Sequence, residues 1–263
     1  MAFWNRKKNE TEAAPTAQRA NALLERARAL EEKNKRPQAK KAYEDALAVY
    51  DALPEGEGTP KDRMYHAFCC ACLAGMTTEA EAAETLYSRG LEIAKAAEAE
   101  DESLAIAPIH FTEYARLLLG QKDLEKVFPL LKEGLESRKK AAERGAVGVT
   151  IESTADYCEE VIEVLQDFVA VTALRKWLEL LLPIREAFAE KEPTSARRRD
   201  VISVLVRLGG VCFQLEDAEG TDSYYSRALE MFDELIDMEN HPLDKAAKSR
   251  LMERIARQQE PEL

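Results

Sequence analysis

Apolar residues recur along this chain at intervals of three and four, the spacing that lines one face of an α-helix, and short polar breaks separate the stretches. Over 16–33 the stripe is Ala20, Leu23, Leu24, Ala27 and Leu30, and Arg36-Pro37 breaks it, with Pro37 placed to open the next helix. Ala39, Ala42, Tyr43, Ala46, Leu47 and Tyr50 form a second stripe, closed by Pro54-Glu-Gly56-Glu-Gly58. One unit is therefore helix, short turn, helix, longer loop. A second unit covers 61–99 and turns at Gly75-Met76-Thr77, and a third covers 103–144 and turns from Gly120 to Asp123. The fourth, 151–191, turns near Gln166-Asp167 and stops before Pro193. In the fifth, Thr194 or Ser195 caps a helix reaching Leu215, and a turn from Glu216 to Gly220 leads into a helix ending near Asn240. His241-Pro242 then opens a last helix with Leu243, Ala246, Ala247, Leu251 and Ile255 on one stripe.

The second helices repeat one another. Ala39, Tyr43, Ala46 and Leu47 return as Ala83, Tyr87, Gly90 and Leu91, then as Val127, Leu131, Gly134 and Leu135. They return again as Ala173, Trp177, Leu180 and Leu181, and as Thr221, Tyr225, Ala228 and Leu229. The third member of each set is spaced by 44, 44, 46 and 48 residues. Self-similarity at such a period marks an array in which each unit covers the apolar face of the next. Small residues at Ala46, Gly90, Gly134 and Ala228 permit close helix approach, while Trp177 and Leu180 depart from the pattern. Pro129 and Pro183 fall inside helical patterns, where they are expected to kink or loosen them.

These residues resemble tetratricopeptide repeats (TPRs). The first helices carry the apolar-plus-small signal most clearly at Leu205-x-x-Leu208-Gly209-x-x-Cys212, and more weakly around Ala27 and Ala115. The unit is longer than the usual ~34 residues, and the sets around Gly90 and Gly134 are most similar to the lengthened repeats of kinesin light chains and related bacterial proteins. The resemblance implies an all-α, right-handed α-solenoid of about five helix hairpins over 16–240. Residues 241–263 would form a C-terminal capping helix with a short tail, and 1–15 a disordered N-terminal tail.

Composition agrees with helix. Only 11 Gly and 10 Pro interrupt a chain that is 46% hydrophobic and 33% charged. A formal net charge of −12 disfavours nucleic acid as a partner. No apolar run approaches the ~18 residues that span a bilayer, so no membrane insertion is expected. Phe3 and Trp4 beside Arg6, Lys7 and Lys8 offer at most marginal contact with a membrane surface. Five cysteines without a disulfide framework, and no secretory leader, give a cytoplasmic expectation.

Candidate chemistry is sparse. His66 and Cys70 share a helix face with Cys69 close by, but Cys72 points elsewhere and no second cluster completes a tetrahedral site, so no metal and no cofactor are expected. His66, His110 and His241 are far apart, and no nucleophile–base pair or phosphate loop is present, so the chain reads as non-enzymatic. Arg197-Arg198-Arg199 stands near a helix start, either as a solvated turn or as a hold for an acidic segment.

In the resembled architecture first helices line the inner wall of the superhelix, so their residues off the packing stripe would meet a partner. These are Asn21, Leu24, Arg28 and Glu31, then Tyr65, Phe68 and Cys72, then Thr112 and Arg116. The fourth unit adds Asp156, Glu159 and Glu163, and the fifth Val206, Gly210 and Gln214. The wall reads as apolar-aromatic and basic in its first half and acidic in its second, with Tyr65 and Phe68 equally readable as packing residues. The leading expectation is an adaptor whose inner groove binds a peptide segment of a partner protein. A peptide-responsive regulator that changes its superhelix, and a self-assembling structural component with homo-oligomeric contacts, stand beside it.

Overall fold

The computed structural model describes residues 15–54, 56–168 and 171–259. The expected N-terminal tail and its Phe3, Trp4, Arg6, Lys7 and Lys8 cluster lie outside them. Eleven helices make up the described architecture, with no strand among the described residues. The chain divides into two compact units, Met1–Thr150 and Ile151–Leu263.

The N-terminal unit holds α1 (Ala17–Glu32), α2 (Arg36–Asp51), α3 (Pro60–Ala74), α4 (Ala80–Glu100), α5 (Ile109–Gly120) and α6 (Leu124–Glu143). They pack as three hairpins, α1 with α2, α3 with α4, and α5 with α6, and each second helix also packs on the first helix that follows. First helices α1, α3 and α5 lie alongside one another in turn. The C-terminal unit holds α7 (Ile151–Asp167), α8 (Val171–Lys191), α9 (Ser195–Gln214), α10 (Ala218–Glu239) and α11 (Pro242–Gln259). Two hairpins, α7–α8 and α9–α10, pack through α8 and α9, and α11 closes on α10.

Local signals start and stop these helices. The Thr16, Thr194 and Asp217 side chains accept the backbone N–H groups of Arg19, Arg197 and Gly220. Thr59 and Asp62 form a reciprocal capping box ahead of α3, with Pro60 at its first position. Asn240 stops α10 in the left-handed conformation at φ 51°.

The repeated pattern sets the core. The α2 stripe from Ala39 to Tyr50 is buried at all six expected positions. A Cβ added at Gly90 would lie 3.0 Å from the Ala67 carbonyl oxygen and from Cys70 Cβ, so this crossing of α3 and α4 requires a bare backbone. In the C-terminal unit Gly209 makes a notch on the first helix of its hairpin, where an added Cβ would meet the Tyr225 ring at 2.4 Å. The fourth unit departs here: Leu180 is 38% exposed, whereas Trp177, Leu178 and Leu181 are buried. A leucine does not fit the close-approach position, and the side chain turns outward instead.

Two other expectations are corrected. The third unit's first helix begins at Ile109 rather than near 103. Pro108 precedes it, and a residue before proline avoids helical backbone. The stretch from Asp101 is instead a loop held by Arg144, which donates to the carbonyls of Glu102 and Leu104 at 2.7 and 2.8 Å. On α11, Leu251 is buried, but Leu243 is 68% exposed and Ala246 is exposed. Asp244 takes the inward position beside Leu243, for a reason given below.

Candidate functional site

In the N-terminal unit the predicted wall residues divide into structural and accessible groups. Leu24 and Thr112 are buried, and the Thr112 hydroxyl donates to the Pro108 carbonyl at 3.2 Å. Asn21 sits at a three-helix junction: its amide donates to Asp62 Oδ1 at 2.7 Å and its oxygen accepts the Tyr50 hydroxyl at 2.6 Å. Glu31 accepts the Tyr43 hydroxyl at 2.8 Å. Neither Asn21 nor Glu31 is therefore an idle wall residue. Burial raises the Cys72 thiol to about 11.

The remaining wall residues meet one another. The Arg28 guanidinium on α1 stands 5.7 Å from the centre of the Phe68 ring on α3, and Lys61 lies 5.9 Å from the Tyr65 ring. Arg28 also pairs with Glu25, and Arg116 on α5 with Glu113, at 3.1 and 3.3 Å. A cation resting on a half-buried aromatic gives this face both charge and apolar area.

In the C-terminal unit, Asp156, Glu163 and Gln214 are exposed. Glu159 is engaged, accepting Arg207 of α9 at 2.6 Å with Arg185 of α8 at 3.8 Å. The Arg197-Arg198-Arg199 run is likewise engaged internally. Arg197 pairs with Glu152 at 2.8 Å and lies over Phe188, Arg198 pairs with Glu234 at 3.0 Å, and Arg199 pairs with Asp244 and Glu239. These arginines bind the unit's own helices together.

A groove of about 790 Å³ opens between α9 and α11. Val206, Ala247 and Leu251 line it, as does the exposed Leu243. Arg250 and Arg254, one helical turn apart on α11, stand along it. Neither has an ion-pair partner among the described residues, unlike Arg199 and Arg207 in the same groove. The acidic residues expected of the second half, Asp156, Glu159 and Glu163, lie on α7 and outside this groove, which arginines line instead.

The His66 and cysteine cluster has other duties. His66 stacks on Tyr50 at 4.9 Å and places Nε2 3.3 Å from Asp51. Burial lowers its pKa, and the neighbouring Arg89 acts in the same direction. Cys69 donates to the Tyr43 carbonyl at 3.4 Å, and burial pushes the Cys70 thiol to about 11, against the thiolate a metal would need. His110 is buried beside Gly90, with its pKa pulled down to about 4 by burial and no partner for Nδ1 among the described residues. No helix among the described residues is long and apolar enough to cross a membrane.

No protein-family model and no curated protein matches the chain. Among solved structures, BtubC (BKLC) from P. vanneervenii is similar over 86% of this chain and 92% of its own, with TM-score 0.51 and 15% identity. YrrB, a TPR protein with an unusual peptide-binding site, covers 95% of this chain and 98% of its own, with TM-score 0.45 and 16% identity. Nro1, a hypoxic regulator of sterol synthesis and nuclear import adaptor, covers 93% and 82%, with TM-score 0.47 and 11% identity. At such identities the likeness concerns the fold, which is all-α and built of TPR-like helix hairpins.

Proposed function

We propose that this protein is a non-enzymatic adaptor that binds a partner protein segment carrying acidic and apolar residues, and that the groove between α9 and α11 is its main seat. The observation that carries this reading is that Arg250 and Arg254, which have no ion-pair partner among the described residues, stand beside the apolar wall of Val206, Leu243 and Ala247. Guanidinium groups are suited to carboxylates because they present planar, paired donors. Exposed Leu243 supplies apolar area that no neighbouring helix covers. In the N-terminal unit, Arg28, Tyr65, Phe68 and Arg116 present the same combination of charge and apolar surface, as a further contact for a partner. Five cysteines, four of them buried, suit a reducing compartment such as the cytoplasm.

The test is fluorescence anisotropy with a labelled peptide of alternating glutamate and leucine. It should bind in a salt-sensitive way, whereas a lysine–leucine counterpart should not. Exchanging Arg250 and Arg254 for glutamate should weaken binding at least about tenfold, the scale of one lost charged contact, with helical circular dichroism unchanged. Unaltered affinity in that double variant would remove the groove from the reading.

A further inference from the structure

Next to the arginine groove, the last turn of α11 closes a second cleft, of about 400 Å³, in the same unit. Phe213 and Ile255 give it apolar walls, Glu216 and Asp222 also line it, and Tyr225 and Gln258 complete it. Phe213 is 44% exposed, so its ring offers accessible apolar area to this cleft.

Two atoms of the lining are unsatisfied. Tyr225 Oη and Gln258 Oε1 are both buried, and neither has a hydrogen-bond partner among the described residues. Buried polar atoms are nearly always paired, so two orphans in one cleft point to a group that is bound there. The Tyr225 ring is held in place by packing against Gly209, so its hydroxyl is not free to swing into solvent. The amide oxygen of Gln258 needs a donor, and the hydroxyl of Tyr225 can donate or accept a hydrogen bond. A phenol meets both needs, since it donates once and accepts as well, and its ring suits the walls of Phe213 and Ile255. The carboxylates of Glu216 and Asp222 oppose a carboxylate or phosphate in the same place.

The two clefts adjoin. A Cβ at Gly210 would lie 3.7 Å from Tyr225 Oη and 3.9 Å from Arg254 Nη1, so this bare stretch of α9 borders both. Arg254 and Gln258 are one turn apart on α11, about 6 Å along its axis. We infer that the cleft seats an unphosphorylated tyrosine side chain of the partner segment, next to the acidic residues on Arg250 and Arg254. This rests on the adaptor reading above, and adds to it the identity of one anchor residue.

The test uses the full chain and the glutamate–leucine peptide ended by tyrosine, phenylalanine, phosphotyrosine or alanine. The tyrosine form should bind about tenfold more tightly than the phenylalanine form, the scale of one satisfied hydrogen bond. Phosphotyrosine should bind no better than alanine. Gln258→Leu and Tyr225→Phe, which keep the apolar packing, should each erase most of the tyrosine preference. Equal binding of the tyrosine and phenylalanine forms overturns the anchor, and if Arg250→Glu still weakens both, the groove reading survives it. Should no peptide bind, thermal shift with p-cresol against toluene decides. No preference for p-cresol overturns the phenol chemistry. A preference that Gln258→Leu abolishes assigns the cleft to a free phenol and overturns the partner as its source.

Discussion

Arg199 on α9 holds Asp244 on α11 through two parallel hydrogen bonds, Nε to Oδ1 at 2.9 Å and Nη2 to Oδ2 at 2.8 Å. Asp244 is only 4% exposed, and Arg199 also reaches Glu239 at 2.9 Å. This clamp explains why α11 turns Asp244 rather than Leu243 inward. It also forms one end of the arginine groove.

Arg199→Leu should leave a buried carboxylate without its partner, at a cost of about 2 kcal/mol. The loss should be local, with amide exchange in α11 accelerated more than in α7. Arg199 holds the Asp244 carboxyl below the usual range. The folded pKa is therefore the lower one, so the clamp contributes fully above the unfolded value of about 4 and is lost as pH falls below it. Denaturation midpoints of wild type and variant should converge in acid. Midpoints that stay equally far apart at every pH would remove the charge from the explanation.

Gly209→Ala adds one methyl group and would favour helix by about 1 kcal/mol on an open surface. Here the new Cβ would sit 2.4 Å from the Tyr225 ring, so a net destabilisation of about 1–3 kcal/mol is expected instead. Adding Tyr225→Leu should recover part of it, measured as a double-mutant cycle in urea. Strict additivity would show that the ring is not what the methyl meets.

His110 supplies a second pH dependence, in the N-terminal unit. Its folded pKa of about 4 lies below the ordinary histidine value of about 6.5, because the buried ring resists protonation. Its contribution is whole above about 6.5 and declines as pH falls toward 4, by roughly 3 kcal/mol in all. His110→Leu should flatten stability in that window, read by urea titration at several pH values. An unchanged profile would show that the ring protonates in the folded protein at little cost.

Two substitutions on α1 should separate structure from surface. Asn21→Ala removes the acceptor of the Tyr50 hydroxyl, on a residue 4% exposed, and the donor to Asp62, for about 1–3 kcal/mol. Arg28→Ala removes an exposed ion pair and a ring contact worth about 1 kcal/mol or less. Comparable losses in chemical denaturation would contradict this division.

The α1 residues also show where the sequence was readable. Asn21, Leu24, Arg28 and Glu31 were all assigned to the wall from helix phase alone. Leu24 stands on the apolar stripe as well, and its burial places it with Ala20 and Ala27 in the core, while polarity alone does not tell a free amide from one bonded to two other helices. Gly90 was readable as a close-approach position because the repeat sets it in the same place as Ala46, Gly134 and Ala228 on the second helices, whereas the notch at Gly209 lies on a first helix. Leu180 breaks that equivalence, and it is 38% exposed.

Helix boundaries, the alternation of hairpins and the buried stripe of α2 follow from the order of residues, since they depend on spacing within a turn and on capping side chains a few positions away. Which charges find one another does not follow, because Arg199 and Asp244 stand 45 residues apart and meet only when α9, α10 and α11 have packed. The same packing leaves Arg250 and Arg254 without an ion-pair partner among the described residues and encloses Tyr225 Oη and Gln258 Oε1. Local periodicity determines which face of a helix is apolar, while the neighbours of its polar atoms are decided by how the helices come together.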